Sequence, residues 1–288
     1  MITIRSVKIG DHRFVYRTAG NGPDVLLIHG WLSSSRMWDD TIRYLAPHYR
    51  VWALDLIGFG DSRTGDPDID LSVSAHVRLI VEFCRHQKIE PHAIVGHSMG
   101  GSISIKLATE HPNLLQRLVL VCPVVTGLLH LNMGTVLGQP FTQRMLSAGE
   151  KWWNTIQTMP ATQLFVAPPY LHREAIRRSV EDYRKATWRG AFGGIASVVN
   201  IHLEKVLPSI TVPTLVVTGS QDLTVPPADS RLAARLISNS TLLEYANCHH
   251  QPPDEEPEHF NRTLLHFLNG GTVQSIVIGR RTNAAQTA

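Results

Sequence analysis

The sequence predicts an α/β fold: a mostly parallel sheet, doubly covered by helices on its two faces, with an inserted helical cap domain. Three observations carry that expectation. Short aliphatic and β-branched runs recur in the first and last parts of the chain, separated by segments of helical length, which is how parallel strands alternate with crossovers. Runs such as Val25–Ile28 are apolar throughout instead of alternating, as strands buried on both faces are. From about Val124 to Leu207 the pattern is helical with no convincing strand, a connection too long to be a loop.

Taken in order, Ile2–Ile9 and His12–Thr18 read as a hairpin around the two-residue turn Gly10-Asp11. Val25–Ile28, Arg50–Leu54, His92–Val95, Leu118–Val121, Thr214–Thr218 and Thr241–Tyr245 are the parallel strand candidates. Helices are expected over Met37–Leu45, Ser72–Gln87 and Met99–Glu110. The last of these carries Ile103, Leu107 and Ala108 on one face, and Pro112 forces the residue before it out of helical geometry. The insertion is rich in large side chains, among them Met133, Phe141, Trp152, Trp153, Tyr170 and Trp188. Most should pack on the core and a minority should line a pocket. The expected organisation is therefore residues 1–123 and 208–270 as the core and 124–207 as a cap overhanging the carboxyl edge of the sheet. Residues 271–288 remain as a tail whose plain reading is disorder, with an added edge strand at Ile276-Val277-Ile278 as the alternative.

Composition bounds the function. A chain of 288 residues with 43% hydrophobic content can bury one large core with an insertion. The net charge is near +3 with both signs mixed, so no basic stripe points to nucleic acid, and no apolar run is long enough to span a membrane. The first residues alternate like a strand and lack the apolar stretch of a signal peptide, which makes a cytoplasmic location the expectation, as a monomer or homodimer. Cys84, Cys122 and Cys248 are scattered and odd in number, so a disulfide framework is not expected. With no phosphate-type glycine loop and no paired metal-ligand spacing, neither a cofactor nor a metal is implied.

The chemistry centres on Gly96-His97-Ser98-Met99-Gly100, placed between the strand Ala93-Ile94-Val95 and a helix. A strand that turns directly into a helix crowds its backbone, and glycines two residues to either side of the serine relieve a clash that a Cβ would create. The turn lifts the Ser98 hydroxyl above the sheet edge. The following helix start presents the Met99 N–H, with its partial positive charge, to a developing anion.

A serine nucleophile needs a base, and the base needs a carboxylate that fixes its tautomer. Asp222 lies in the turn after Thr214–Gly219, at the carboxyl end of a strand; the preceding strand ends in Cys122-Pro123-Val124 and supplies no carboxylate. Two adjacent histidines, His249 and His250, follow the strand ending at Tyr245, and the periodicity of the helix from Pro257 through Phe267 favours His250 at the apex of the loop. Val25–Ile28 runs straight into His29-Gly30-Trp31, so that the sharp turn at Gly30 can aim the Trp31 N–H at the nucleophile as a second oxyanion donor. The Trp31 indole then lines or packs the pocket, and His29 bonds the loop backbone.

Together these segments resemble the α/β-hydrolase family. The resemblance rests on His29-Gly30-Trp31, the turn Asp55-Leu56-Ile57-Gly58-Phe59-Gly60-Asp61-Ser62, and the elbow Gly96–Gly100 with Gly101. Gly219-Ser220-Gln221-Asp222 and His250-Gln251-Pro252 with Glu255 and Pro257 complete it, all in the family's order over roughly Ile2 to Leu268. It implies a catalytic triad of Ser98, Asp222 and His250, with the Trp31 and Met99 N–H groups as oxyanion hole. The proline two residues beyond the base, with the acidic-x-Pro after it, selects His250 over His249. Glycine is usual at the position of His249, so this chain departs from the pattern there. Haloalkane dehalogenase and epoxide hydrolase branches use an aspartate nucleophile, and Ser98 argues against both. The expected activity is hydrolysis of small to medium hydrophobic carboxylic esters through an acyl-enzyme. Lactone hydrolysis, C–C bond hydrolysis or perhydrolysis on the same triad are alternatives, and a small-molecule receptor with slow hydrolysis is the alternative of another class.

Overall fold

The computed structural model describes residues 1–129, 150–160, 162, 166 and 168–278. Its centre is a ten-stranded sheet in the order β1-β2-β4-β3-β6-β7-β8-β9-β10, with a short β5 paired to β2. β1 (Thr3–Ile9) and β2 (His12–Ala19) form the expected hairpin about Gly10, whose φ of 56° suits glycine. β2 runs antiparallel to β4 (Arg50–Leu54), and from β4 onward the pairings are parallel: β3 (Asp24–Ile28), β6 (Pro91–His97), β7 (Arg117–Val121), β8 (Thr214–Gly219) and β9 (Ser240–Tyr245). β5 is the pair Arg63–Thr64.

The alternation of side chains along these strands feeds two separate apolar layers. Leu26, Ile28, Leu54, Ile94, Leu118, Leu120 and Val216 face one side, where α2 (Val73–Gln87) contributes Val77, Ile80 and Phe83 and α3 (Met99–Glu110) contributes Ile103 and Leu107. Val25, Leu27, Val51, Val95, Val119 and Val217 face the other, against Ile42 and Leu45 of α1 (Asp39–Leu45). The doubly covered sheet read from the sequence is thus present, and its strands are apolar throughout because both faces are buried.

Between β7 and β8 the described part of the insertion is helical: α4 (Trp153–Thr158), α5 (Arg173–Lys185) and α6 (Trp188–Val199). Trp153, Tyr183, Trp188 and Val198 join the apolar layer of α2 and α3, whereas Trp152 is exposed. Met133 and Phe141, also singled out by the sequence, lie outside the described residues. After β8 come α7 (Pro227–Leu236), then the short α8 (Pro252–Glu255) and α9 (Pro257–Leu268) beyond β9; Phe260, Leu264 and Phe267 of α9 cover the second face.

The tail departs from the plain reading of disorder. Ile276–Ile278 forms β10, pairing in parallel with Leu243–Tyr245, and the Ala246 N–H donates to the Ile278 carbonyl at 2.9 Å. β9 would otherwise present an unpaired edge, and a β-branched run returning after α9 supplies its missing partners. Residues 279–288 lie outside the described part of the chain.

Candidate active site

Five strand ends converge on one rim. Ile28 of β3 sits opposite Gly96 of β6, Val121 of β7 opposite His97 and Val217, and Gly219 of β8 opposite Tyr245 of β9, so the residues after each strand emerge side by side. β3 and β6 are neighbours from which the chain proceeds to opposite flanks of the sheet, and a crevice opens outside carboxyl ends at such a reversal.

Ser98 occupies the turn between β6 and α3 with φ 54° and ψ −118°, a conformation that side-chain-bearing residues rarely adopt. The surroundings enforce it. Its N–H donates to the Val121 carbonyl at 2.9 Å, and its own carbonyl accepts from the N–H groups of Gly101 and Ser102. A Cβ on Gly96 would strike the Ser104 hydroxyl and the Gly100 carbonyl, and one on Gly100 would strike the Ile28 carbonyl. Ser98 is 8% exposed and reaches a cavity of about 470 Å³, and its hydroxyl makes no hydrogen bond among the described residues.

His250 reaches the same cavity, and its Nδ1 lies 2.7 Å from Oδ2 of Asp222. The other carboxylate oxygen of Asp222 accepts the N–H groups of Thr224 at 2.8 Å and Val225 at 2.9 Å. A carboxylate in that position requires the hydrogen on Nδ1, which leaves the Nε2 lone pair of His250 to act as a base. Burial, the largest influence on Asp222, would raise its pKa; the attraction of His250 and the hydrogen bonds from His250, Val225 and Thr224 outweigh it and hold the carboxyl below its ordinary range. The sequence thus picked out two side chains that the fold brings into contact, and a third on the same cavity.

The loop carrying His250 is fixed from several directions. Its carbonyl accepts from Nε2 of His97 at 2.8 Å. Burial foremost, then the proximity of His250, push the pKa of His97 down to about 3, so the ring is neutral and serves as a donor. The Glu255 carboxylate accepts the N–H groups of His249 at 2.9 Å and Gln251 at 3.0 Å. On the opposite strand end, the Leu56 N–H donates to Nε2 of His29 at 3.0 Å, so Nδ1 carries the hydrogen and donates to the Gly30 carbonyl at 2.7 Å. Burial lowers the pKa of His29 to about 4, and it braces the loop as the sequence suggests. The Trp31 indole lines the cavity and donates to the Ala191 carbonyl of α6 at 2.6 Å. Met99, 1% exposed, is the first residue of α3, where backbone N–H groups lack intrahelical acceptors.

Three features of the site were not legible as functional in the sequence. Cys122 takes a left-handed φ of 45° at the end of β7, and its sulfur, an Asp222 oxygen and a His250 nitrogen all lie within 4.8 Å of one another. Burial pushes the Cys122 thiol well above its usual range, and the imidazole and carboxylate of this group are already joined by their hydrogen bond. His97 gave no signal because its role depends on a loop more than a hundred residues away. Tyr170 was one of many insertion aromatics, yet it stacks flat on His249.

A family model described as the alpha/beta hydrolase fold matches residues 23–257. Among curated proteins, the chain is 29% identical over 273 residues to a 2-hydroxy-6-oxo-6-(2'-aminophenyl)hexa-2,4-dienoic acid hydrolase of Metapseudomonas resinovorans, covering 92% of this chain and 90% of that protein. It is 24% identical over 264 residues to a pimeloyl-[acyl-carrier protein] methyl ester esterase of Vibrio vulnificus, covering 88% and 96%. Among solved structures, the enol-lactonase of Burkholderia xenovorans LB400 superposes with a TM-score of 0.76 at 21% identity, over 92% of this chain and 100% of that one.

Proposed function

We propose a reaction for this chain from the premise that it belongs to the alpha/beta hydrolase fold family. In our reading it is a serine hydrolase that cleaves small to medium hydrophobic carboxylic esters through an acyl-enzyme. The observation that carries this is the strained elbow at Ser98 opening on the cavity that also receives His250, whose Nδ1 is bonded to the buried Asp222. The Ser98 hydroxyl rotates about χ1 to meet Nε2 of His250, a link that commonly tightens only when substrate is bound. His250 takes the proton as the oxygen attacks the ester carbonyl, and the N–H groups of Trp31 and Met99 hold the oxyanion. The proton passes to the leaving alcohol, and His250 then activates water to release the acid. Asp222 keeps Nδ1 protonated and stabilises the imidazolium.

Walls that include Leu32, Val166 and Leu223 favour apolar acyl or alkyl groups. The described insertion helices serve as the cap over this cavity. No described helix is long and apolar enough to cross a membrane; we place the enzyme in the cytoplasm, as a monomer or homodimer. A C–C bond hydrolase is the second reading, favoured by the 29% identity to the Metapseudomonas resinovorans protein.

Fluorophosphonate labelling followed by peptide mass spectrometry tests the nucleophile: the adduct is expected on Ser98, and Ser98→Ala should remove it and lower kcat on a p-nitrophenyl ester by about 10⁴ to 10⁶. An adduct elsewhere, or near-native turnover by Ser98→Ala, refutes the assignment. Sustained turnover across esters, lactones and vinylogous diketo acids identifies the preferred class, whereas a single acylation burst without steady turnover indicates a receptor.

A further inference from the structure

Two contacts tie the insertion to the loop that carries His250, one on each side of it. Before it, the Tyr170 ring lies parallel to the His249 imidazole, with centroids 3.9 Å apart and 4° between planes. The edge of that imidazole is committed too, since its Nδ1 is 2.9 Å from the Glu255 carboxylate, which also accepts the His249 and Gln251 N–H groups. After it, Arg178 of α5 reaches Asp254 of α8 at 2.5 Å, with both side chains largely buried.

We propose that His249 and Tyr170 are positioning residues for His250: their stack, anchored by Glu255, makes placement of the catalytic imidazole depend on the insertion. The backbone from Cys248 to Gln251 is held from the core side, where the Gln221 N–H donates to the Cys248 carbonyl at 3.0 Å. The His250 carbonyl is held by His97 and the flanking N–H groups by Glu255, and the Tyr170 stack adds a contact from the insertion beside the base. The His249 ring, bonded at its edge to the Glu255 carboxylate and stacked on its face by Tyr170, links the insertion to the residue next to it, His250. Tyr170 also lines the cavity beside His250, so a ligand that displaces Tyr170 displaces the base. Relay geometry is sensitive: a misplacement of about 1 Å is enough to lose on the order of 10²-fold in rate.

The inference rests on the proposed serine hydrolysis, and the experiment separates the two. Wild type, His249→Gly, Tyr170→Ala, Tyr170→Phe and the double variant His249→Gly/Tyr170→Ala are compared for kcat, KM and the rate constant of fluorophosphonate labelling, with thermal unfolding recorded for each. If wild type neither turns over an ester nor labels at Ser98, the hydrolase reading fails. Given an active wild type, His249→Gly and Tyr170→Ala should each lower kcat and the labelling rate by about 10- to 100-fold with little change in KM. Tyr170→Phe, which keeps the ring, should recover most of the loss, and the double variant should be no worse than the poorer single one because both remove the same stack. Wild-type labelling rates in the single variants, a loss confined to KM, or multiplicative effects in the double variant overturn the proposal. Should Tyr170→Ala fail to fold, His249→Gly alone decides it by the same two rates.

Discussion

Under the proposed mechanism, replacing Asp222 by Asn changes one heavy atom yet should remove almost all activity. Oδ1 accepts two backbone N–H groups, from Thr224 at 2.8 Å and Val225 at 2.9 Å, while Oδ2 faces Nδ1 of His250 at 2.7 Å. An asparagine must turn its carbonyl toward the two N–H donors, because an amino group there would meet donors with donors and leave them unpaired in a site that is 3% exposed. Its NH₂ then points at Nδ1, which can accept only by giving up its hydrogen. The hydrogen moves to Nε2, and the nitrogen that takes the Ser98 proton in the proposed reaction already holds one. A wrong-tautomer imidazole costs about 10⁴ in kcat, or roughly 5.4 kcal/mol at 1.36 kcal/mol per decade. Steady-state kcat on a p-nitrophenyl ester and the labelling rate of Ser98 should fall together, since both need the same base. Asp222→Asn retaining kcat within about tenfold of wild type, while folded, would refute the tautomer argument and with it the role of Asp222.

Trp31→Ala keeps its backbone N–H but removes an indole that lines the cavity and bonds the Ala191 carbonyl at 2.6 Å. A profile of kcat/KM against acyl length should therefore shift toward longer chains with chemistry retained, and denaturant titration should show a loss of about 1–3 kcal/mol from the unpaired carbonyl; a fall in kcat as deep as that of Ser98→Ala would contradict the backbone role. Asp182 in α5 pairs with Arg36 at 3.3 Å, and burial, opposed by Ser34, Arg36 and Arg178, raises its pKa to about 6. A folded pKa above the unfolded value of about 3.9 means that the contribution of this group to stability is full below that value and is lost as pH rises toward 6. The difference in unfolding free energy between wild type and Asp182→Asn should thus change by on the order of 2–3 kcal/mol between pH 4 and pH 7, and a difference that stays constant with pH would show that Asp182 has no such shift.

Much of the architecture could be read from local pattern. Parallel strands buried on both faces must be apolar throughout, so Val25–Ile28 and Leu118–Val121 announced themselves, and Met99–Glu110 was bounded by an elbow and a proline. β10 was harder: three β-branched residues do not distinguish an edge strand from a tail until β9 is known to have an open edge. The elbow glycines were legible because steric crowding is a property of a few neighbouring residues, and the clashes around Gly96 and Gly100 are those the spacing implies.

Sequence by itself determined the alternation of strands and helices, the glycine-flanked Ser98, and the candidacy of Asp222 and His250, because each depends on chain-local geometry or on order along the chain. Only the tertiary structure decided that His97 holds the His250 carbonyl, that Cys122 lies against the Asp222–His250 pair, and that Tyr170 stacks on His249. Those contacts join residues tens to more than a hundred positions apart. Their partners are chosen by how the insertion and the strand ends pack, and packing leaves no periodic trace in the sequence.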